Sequence, residues 1–184
     1  VINLNRAGAS SQIVDYSANN TSYSIGGSYL LSASQTFFAR YSKGGRAIAD
    51  RLLQIGGTLN TDGSLTSTTS GYDTTKQFEV GYKYGTRDLM VNATLFDTVT
   101  EDTQAEVTSG LTFMREYEAT GLELEGRWTA TDNFVLSGNL TWTDAEISKD
   151  VNNPALEGNT PRRQADWIWT ITPEYVTDTW SVGA

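Results

Sequence analysis

Glu123 and Glu125 stand two residues apart in Leu122-Glu123-Leu124-Glu125. On a strand, both carboxylates would share one face at roughly 7 Å, a spacing that superficially suits an acid/base pair for glycoside hydrolysis. The competing reading is charge on a hydrated face, paired with Arg127 or a neighbouring strand. Arg46, Asp50 and Arg51 follow Gly44-Gly45. A guanidinium forks onto carboxylate or phosphate oxygens, so this group can meet an anionic ligand; the alternative is a solvated loop with local ion pairs. It is no P-loop, because the G-K-[ST] element and a strand-to-helix context are missing. Arg162, Arg163 and Asp166 make a second charged group ahead of Trp167 and Trp169. Asp144 and Glu146 offer oxygens to Ca²⁺, but no D-x-D-x-D-G spacing supports them, and no metal is expected.

Composition removes most other chemistry. With His and Cys both at zero, the commonest general base, the thiolate nucleophile and the usual metal-ligand sets are missing. No catalytic residue and no cofactor is therefore expected. A net charge of −9 with 13 scattered Lys and Arg does not suit nucleic acid, whose phosphates need clustered cations. Hydrophobic residues make up 38% of the 184, while Gly, Tyr, Trp, Thr and Ser are plentiful, a mixture that favours strands. No apolar run approaches the roughly 18 to 20 residues of a membrane-spanning helix. Alternating strands escape that criterion.

The elements that position these residues are read from period-two alternation. Tyr23, Ile25, Gly27, Tyr29 and Leu31 oppose Ser22, Ser24, Gly26 and Ser28; Phe37, Ala39 and Tyr41 oppose Phe38, Arg40 and Ser42. Phe78, Val80, Tyr82 and Tyr84 oppose Gln77, Glu79, Gly81 and Lys83, and Leu89, Val91, Ala93 and Leu95 oppose Met90, Asn92, Thr94 and Phe96. In the second half, Leu122, Leu124, Gly126 and Trp128 turn away from Glu123, Glu125 and Arg127. Phe134, Leu136, Leu140 and Trp142 turn away from Ser137, Asn139 and Thr141, and Trp167, Trp169, Ile171 and Tyr175 close the series.

Connections alternate between two kinds. Short polar turns fall at 32–35, 85–88, 129–133 and 176–179; long Gly-, Ser-, Thr- and Asp-rich loops fall near 7–21, 44–74, 101–113 and 147–162. Such an order describes an antiparallel meander with tight turns at one end, as in bacterial outer-membrane barrels. Phe134 and Trp142, like Trp167 and Tyr175, lie eight residues apart on one face. At ~3.3 Å per residue and a tilt of about 40° that is roughly 20 Å, near the ~25 Å apolar band between aromatic girdles. Tyr29, Tyr84, Trp128, Phe134, Trp142, Trp167 and Tyr175 are the expected girdle. Arg40, Glu79, Lys83, Glu123, Glu125 and Arg127 are the expected lumen lining. A soluble β-sandwich also alternates, but its strands are usually shorter, about 5–6 residues, and its sheets are joined by Greek-key crossings.

Several short motifs agree in order with one family. Glu79-Val80-Gly81-Tyr82-Lys83, Asn92-Ala93-Thr94-Leu95-Phe96, Gly121-Leu122-Glu123-Leu124-Glu125 and the run Leu136 to Ala145, with Asn139, Thr141, Trp142 and Thr143, follow one another. Phe38-Ala39-Arg40-Tyr41-Ser42 precedes them and Gly158-Asn159-Thr160-Pro161-Arg162 follows. The chain resembles the C-terminal half of the barrel of TonB-dependent receptors over most of residues 22–175. That resemblance implies a barrel of about 22 strands around a plug, a TonB-type energy-coupling partner, outer-membrane lipid around the wall, and an imported small ligand: an iron–siderophore complex, cobalamin or an oligosaccharide.

The expected fold is therefore all-β, an antiparallel up-and-down transmembrane β-barrel of which about eight strands are present. The whole of 1–184 is read as a fragment of the barrel domain, an excerpt without plug or terminal strands. The expected function is uptake of a scarce ligand, an iron complex first, across a Gram-negative outer membrane. The alternatives are a passive porin-like or structural barrel, and a soluble carbohydrate-binding β-domain with Trp167 and Trp169 as platforms.

Overall fold

β-branched and aromatic residues alternating with Thr, Ser and charged residues build long strands here, and their backbone groups are satisfied by neighbouring strands. The computed structural model describes residues 2–4, 12–15, 17–47, 60–64, 72–105 and 112–183. Two short strands, β1 (Ile2–Leu4) and β2 (Gln12–Val14), pair antiparallel as a separate two-stranded sheet. The remaining strands are β3 (Tyr23–Ser32), β4 (Gln35–Ala47), β5 (Tyr72–Gly85), β6 (Leu89–Ala105), β7 (Thr112–Thr129), β8 (Phe134–Asp150), β9 (Trp167–Val176) and β10 (Ser181–Gly183). They form one eight-stranded sheet in strict sequence order, every neighbour antiparallel. Consecutive hairpins without crossovers make an up-and-down meander, an open wall over the described residues.

Three of the four short turns use the same device. Thr86, Thr131 and Thr177 each accept, through Oγ1, the backbone N–H three residues on: Leu89 at 3.1 Å, Phe134 at 3.0 Å and Trp180 at 3.1 Å. A hydroxyl standing in for a backbone acceptor closes the turn and frees the next residue to start a strand. At the fourth turn Ser32 Oγ accepts the Ser34 N–H at 3.3 Å.

The opposite ends differ from expectation. Loops anticipated near 44–74, 101–113 and 147–162 are shorter, because β4 runs on to Ala47, β5 begins at Tyr72, β6 and β7 extend to Ala105 and from Thr112, and β8 continues to Asp150. The apolar alternation ends near Leu95, Leu122 and Trp142, but the backbone ladder does not. Beyond those points the apolar face turns polar and charged, while the opposite face holds Tyr117 and the buried Ala145 and Ile147, and cross-strand hydrogen bonds and ion pairs add to the ladder. The anticipated first loop likewise contains β2.

Register fixes the faces. Tyr29 pairs with Phe37, Phe37 with Tyr82, Tyr82 with Ala93, Ala93 with Leu124 and Leu124 with Leu140, which pairs with Trp169. Directly opposed residues share a face, so one apolar face runs unbroken from β3 to β9. Among the described residues no layer packs on it. Ile25, Trp169 and Ile171 are 70%, 65% and 60% exposed, and Ala145 and Ile147 are the buried apolar side chains among the described residues. A β-sandwich would cover this face with a second sheet.

Candidate functional site

The apolar face has a sharply bounded band. Tyr29, Phe37 and Tyr82 lie in one cross-strand row near the short turns, with Phe37 and Tyr82 rings 4.9 Å apart. Phe134 opposes Tyr175, which stacks on Trp180 at 5.7 Å. At the other border Tyr41 opposes Phe78, the Tyr23 ring lies 6.1 Å from the Tyr41 ring, and Trp142 opposes Trp167 with rings 6.3 Å apart. Between the rows Ile25, Val80, Leu95, Leu122, Leu140 and Ile171 fill the same face, and no charged residue occurs on it there. At this border the face turns charged, with Asp97 directly opposite Phe78 and Lys43, Lys76 and Asp144 beyond. All seven expected girdle residues, Tyr84 and Trp128 included, lie on this face. Phe37, Tyr82 and Trp180 were not singled out from sequence, although parity carries the same signal for them.

The opposite face is polar and cross-linked. Arg40 on β4 pairs with Glu79 on β5, which also accepts from Gln77 Nε2 at 3.2 Å. Lys83 Nζ sits 5.1 Å from the centroid of the Phe38 ring. Glu125 accepts from Asn92 Nδ2 at 3.3 Å, and Arg127 Nη1 donates to Ser137 Oγ at 3.5 Å. Glu123 faces Thr94 and Thr141 across the ladder. The expected lining residues thus share one face, but Glu123 and Glu125 are opposed by Thr and Asn side chains, with no second acid or base positioned against them. Phe38 and Phe96, aromatic residues on this polar face, lie over Gly81 and Gly121, where a β-carbon would collide with their rings. Glycine there lets the ring lie flat on the sheet. A shallow hollow of about 510 Å³ opens between Ser28, Phe38, Arg40, Glu79, Lys83 and Glu123.

A row of charges crosses the same face beyond the band. Arg46 Nη2 on β4 donates to Asp73 Oδ2 on β5 at 2.6 Å and to Asp102 Oδ1 on β6 at 3.0 Å. Asp73 is buried and also accepts the Thr103 N–H at 2.8 Å. Asp102 opposes Arg115 on β7, whose Nε donates to Asp150 Oδ2 on β8 at 2.7 Å. Arg46 thus ties β4 to β5 and β6, and Arg115 ties β7 to β8. Asp150 is fully buried and takes two further backbone N–H groups, from Asn152 at 3.0 Å and Asn153 at 2.9 Å. Its carboxyl is held below the usual range, chiefly by the Arg115 hydrogen bond and then by those amides, against the cost of burial. Arg46 is held above its ordinary value, first by its hydrogen bond to Asp73.

A bulge makes the last link. Tyr117 opposes Ile147 but Glu116 opposes Lys149, so Ser148 is the extra residue, its Oγ donating to Glu116 Oε1 at 3.2 Å. Without that insertion Asp150 would point to the other face. The row borders a cavity of about 390 Å³ lined by Gly44, Arg46, Asp73, Glu101, Asp102 and Tyr117 among others.

Arg46 is the member of its sequence group that the structure describes; Asp50 and Arg51 lie outside the described residues. Arg162, Arg163 and Asp166 are exposed on the connection into β9, where Arg163 adopts a positive φ of 65° and the Asp166 carbonyl accepts the Thr143 N–H at 2.9 Å. β5 to β8 separate this group from Arg46, so the two are not brought together. Among the described residues no cluster of acidic side chains could hold a metal ion.

The family model "TonB dependent receptor-like, beta-barrel" matches residues 3–184. The chain belongs to the TonB-dependent receptor family. Members are receptors and transporters of the Gram-negative outer membrane rather than enzymes. A search of curated protein sequences finds no match. Among solved structures, the ferric preacinetobactin receptor BauA of Acinetobacter baumannii superposes with a TM-score of 0.66 at 16% identity, over 88% of this chain and 24% of that one. The ferric yersiniabactin uptake receptor FyuA of Yersinia pestis gives 0.62 at 18% identity, over 85% and 23%. The copper transporter OprC gives 0.63 at 17%, over 88% and 24%. At these identities the likeness is one of fold. The chain spans about a quarter of the length of these TonB-dependent receptor barrels.

Proposed function

We propose that this chain forms part of the wall of an energy-coupled outer-membrane receptor that imports a metal chelate, an iron–siderophore complex first. The supporting observation is the wall itself. One face is free of charge between two aromatic rows, which suits lipid, and the other is polar and cross-linked, which suits a hydrated lumen around a plug. On this reading Tyr29, Tyr84, Trp128, Phe134, Trp142, Trp167 and Tyr175 are girdle residues at the membrane borders. Arg40, Glu79, Lys83, Glu123, Glu125 and Arg127 line the lumen. Arg46 shapes the mouth, and Arg162, Arg163 and Asp166 stand at its rim where ligand first arrives; Asp50 and Arg51 join them as ligand contacts on the sequence pattern alone. The preference for a metal complex rests on the printed descriptions of structural relatives, which concern ferric chelates and copper. A TonB-type protein supplies the coupling through parts of the receptor outside these residues.

The test uses the full-length parent protein, expressed with its native signal in an iron-starved Gram-negative host. Folded receptor should remain with the outer membrane, need detergent for extraction and change gel mobility on boiling. Uptake of radiolabelled ferric chelates should stop when the host's TonB is deleted. Entry that persists without TonB would make the barrel a passive channel. A protein recovered without detergent would remove the transport reading altogether.

A further inference from the structure

On the lipid-facing side of this wall, a reading that rests on the function proposed above, Lys43 and Lys76 are directly opposed across β4 and β5. They stand one step beyond the Tyr41–Phe78 pair that ends the apolar band, at the depth where lipid headgroups begin. Like charges opposite one another on a sheet destabilise it, and neither lysine is ion-paired among the described residues. The nearest carboxylates on the same face are otherwise engaged: Asp97 accepts from Thr120 Oγ1 at 3.0 Å, and Glu101 from Thr74 Oγ1 at 2.8 Å. Tyr23 neighbours Lys43 in register, Tyr41 and Phe78 lie one step towards the apolar band, and the Asn20 amide lies over Gly45 just beyond. Across β6 to β8 the same level is acidic, with Asp97, Glu118, Asp144 and Glu146. The positive charge of this border is thus confined to β4 and β5.

We propose that Lys43 and Lys76 bind the phosphate of an outer-leaflet glycolipid, whose acyl chains run along Val80, Ala39 and Ile25. A phosphate between the two ammonium groups converts their repulsion into two charge-assisted hydrogen bonds.

The probe is diphosphoryl lipid A in detergent micelles, titrated into the full-length receptor and its K43Q/K76Q variant, with K83Q on the opposite face as control. Each basic residue near an anionic lipid surface contributes a factor of about five, so the double variant should bind roughly 25-fold more weakly while K83Q matches the parent. Dephosphorylated lipid should bind the parent as weakly as diphosphoryl lipid binds the double variant. Equal affinity of parent and double variant would overturn the proposal. Saturation by inorganic phosphate at the same concentration would overturn it too, by making this a soluble-anion site. Gel mobility before and after boiling, recorded on each sample, keeps this apart from failure of the barrel reading: a double variant that shifts normally yet loses lipid supports the site, and a parent that never shifts refutes the membrane wall first.

Discussion

Asp73 and Arg46 differ in what their loss leaves behind. Asp73 is buried and satisfies both a guanidinium and a backbone N–H, whereas Arg46 is more than half exposed. Asp73→Ala should therefore cost about 2 kcal/mol, with the Thr103 amide left without its acceptor, and Arg46→Ala about 1 kcal/mol or less, because water replaces the exposed guanidinium. Urea unfolding of the folded receptor in lipid measures both, and equal costs would contradict this account. Asp150 offers a pH test. Its folded carboxyl titrates below the unfolded one, so its contribution is full above the ordinary carboxylate range of about 4 and is lost as pH falls through the folded value. The Asn152–Asn153 turn should resist protease at pH 7 and become cleavable under more acidic conditions. Asp150→Asn should be cleavable already at pH 7, with boiling-dependent gel mobility unchanged.

Elements were legible in sequence where their two faces differ. Tyr29, Phe37, Val80, Leu95, Leu124 and Trp169 announce one face because each alternates with a polar residue, and register follows once that face must be continuous. The signal is lost at Asp97, Thr120 and Asp144, where the apolar face turns polar and charged while Tyr117, Ala145 and Ile147 lie on the other, although pairing continues to Ala105, Thr112 and Asp150. Alternation reports a difference in solvent between faces, not the strand itself. The Ser148 bulge was equally silent, so the Arg115–Asp150 pair could not be read, nor could Arg46 and Asp73 be joined across a loop of unknown register. Phe38 and Phe96 looked like exceptions until Gly81 and Gly121 appeared beneath them. Gly121→Leu should cost about 1–3 kcal/mol, because its β-carbon meets both the Phe96 ring and the Trp142 carbonyl, and adding Phe96→Ala should recover the part due to the ring. Additive losses in a double-mutant cycle would mean that ring and glycine are not coupled.

At the scale of the whole wall, the two faces should meet different solvents. The 184 residues contain no Cys, so single cysteines introduced here report cleanly once any others in the parent are removed. Ile25→Cys, Leu95→Cys and Ile171→Cys should resist a charged maleimide in intact outer membrane and react after detergent unfolding. Thr94→Cys and Asn139→Cys, on the opposite face, should react at least tenfold faster than these wherever the lumen is open to reagent. Equal labelling of the two sets would mean that the apolar face is not sealed by lipid. Aromatic rows spaced for a bilayer predict further that shifting one row, by Trp142→Ser with Trp167→Ser, impairs insertion more than either change alone.

β6, β7 and β8 continue past the upper aromatic row as paired strands, crossed by the Arg46-to-Asp150 row of charges. On the function proposed above, this paired extension is a parapet that stands clear of the bilayer before any ligand arrives. A molecule captured there would meet walls already hydrogen-bonded, so the ordering entropy of binding would fall mainly on the loops. Selection by shape would then begin above the membrane surface, at a rim framed by paired strands and ion pairs.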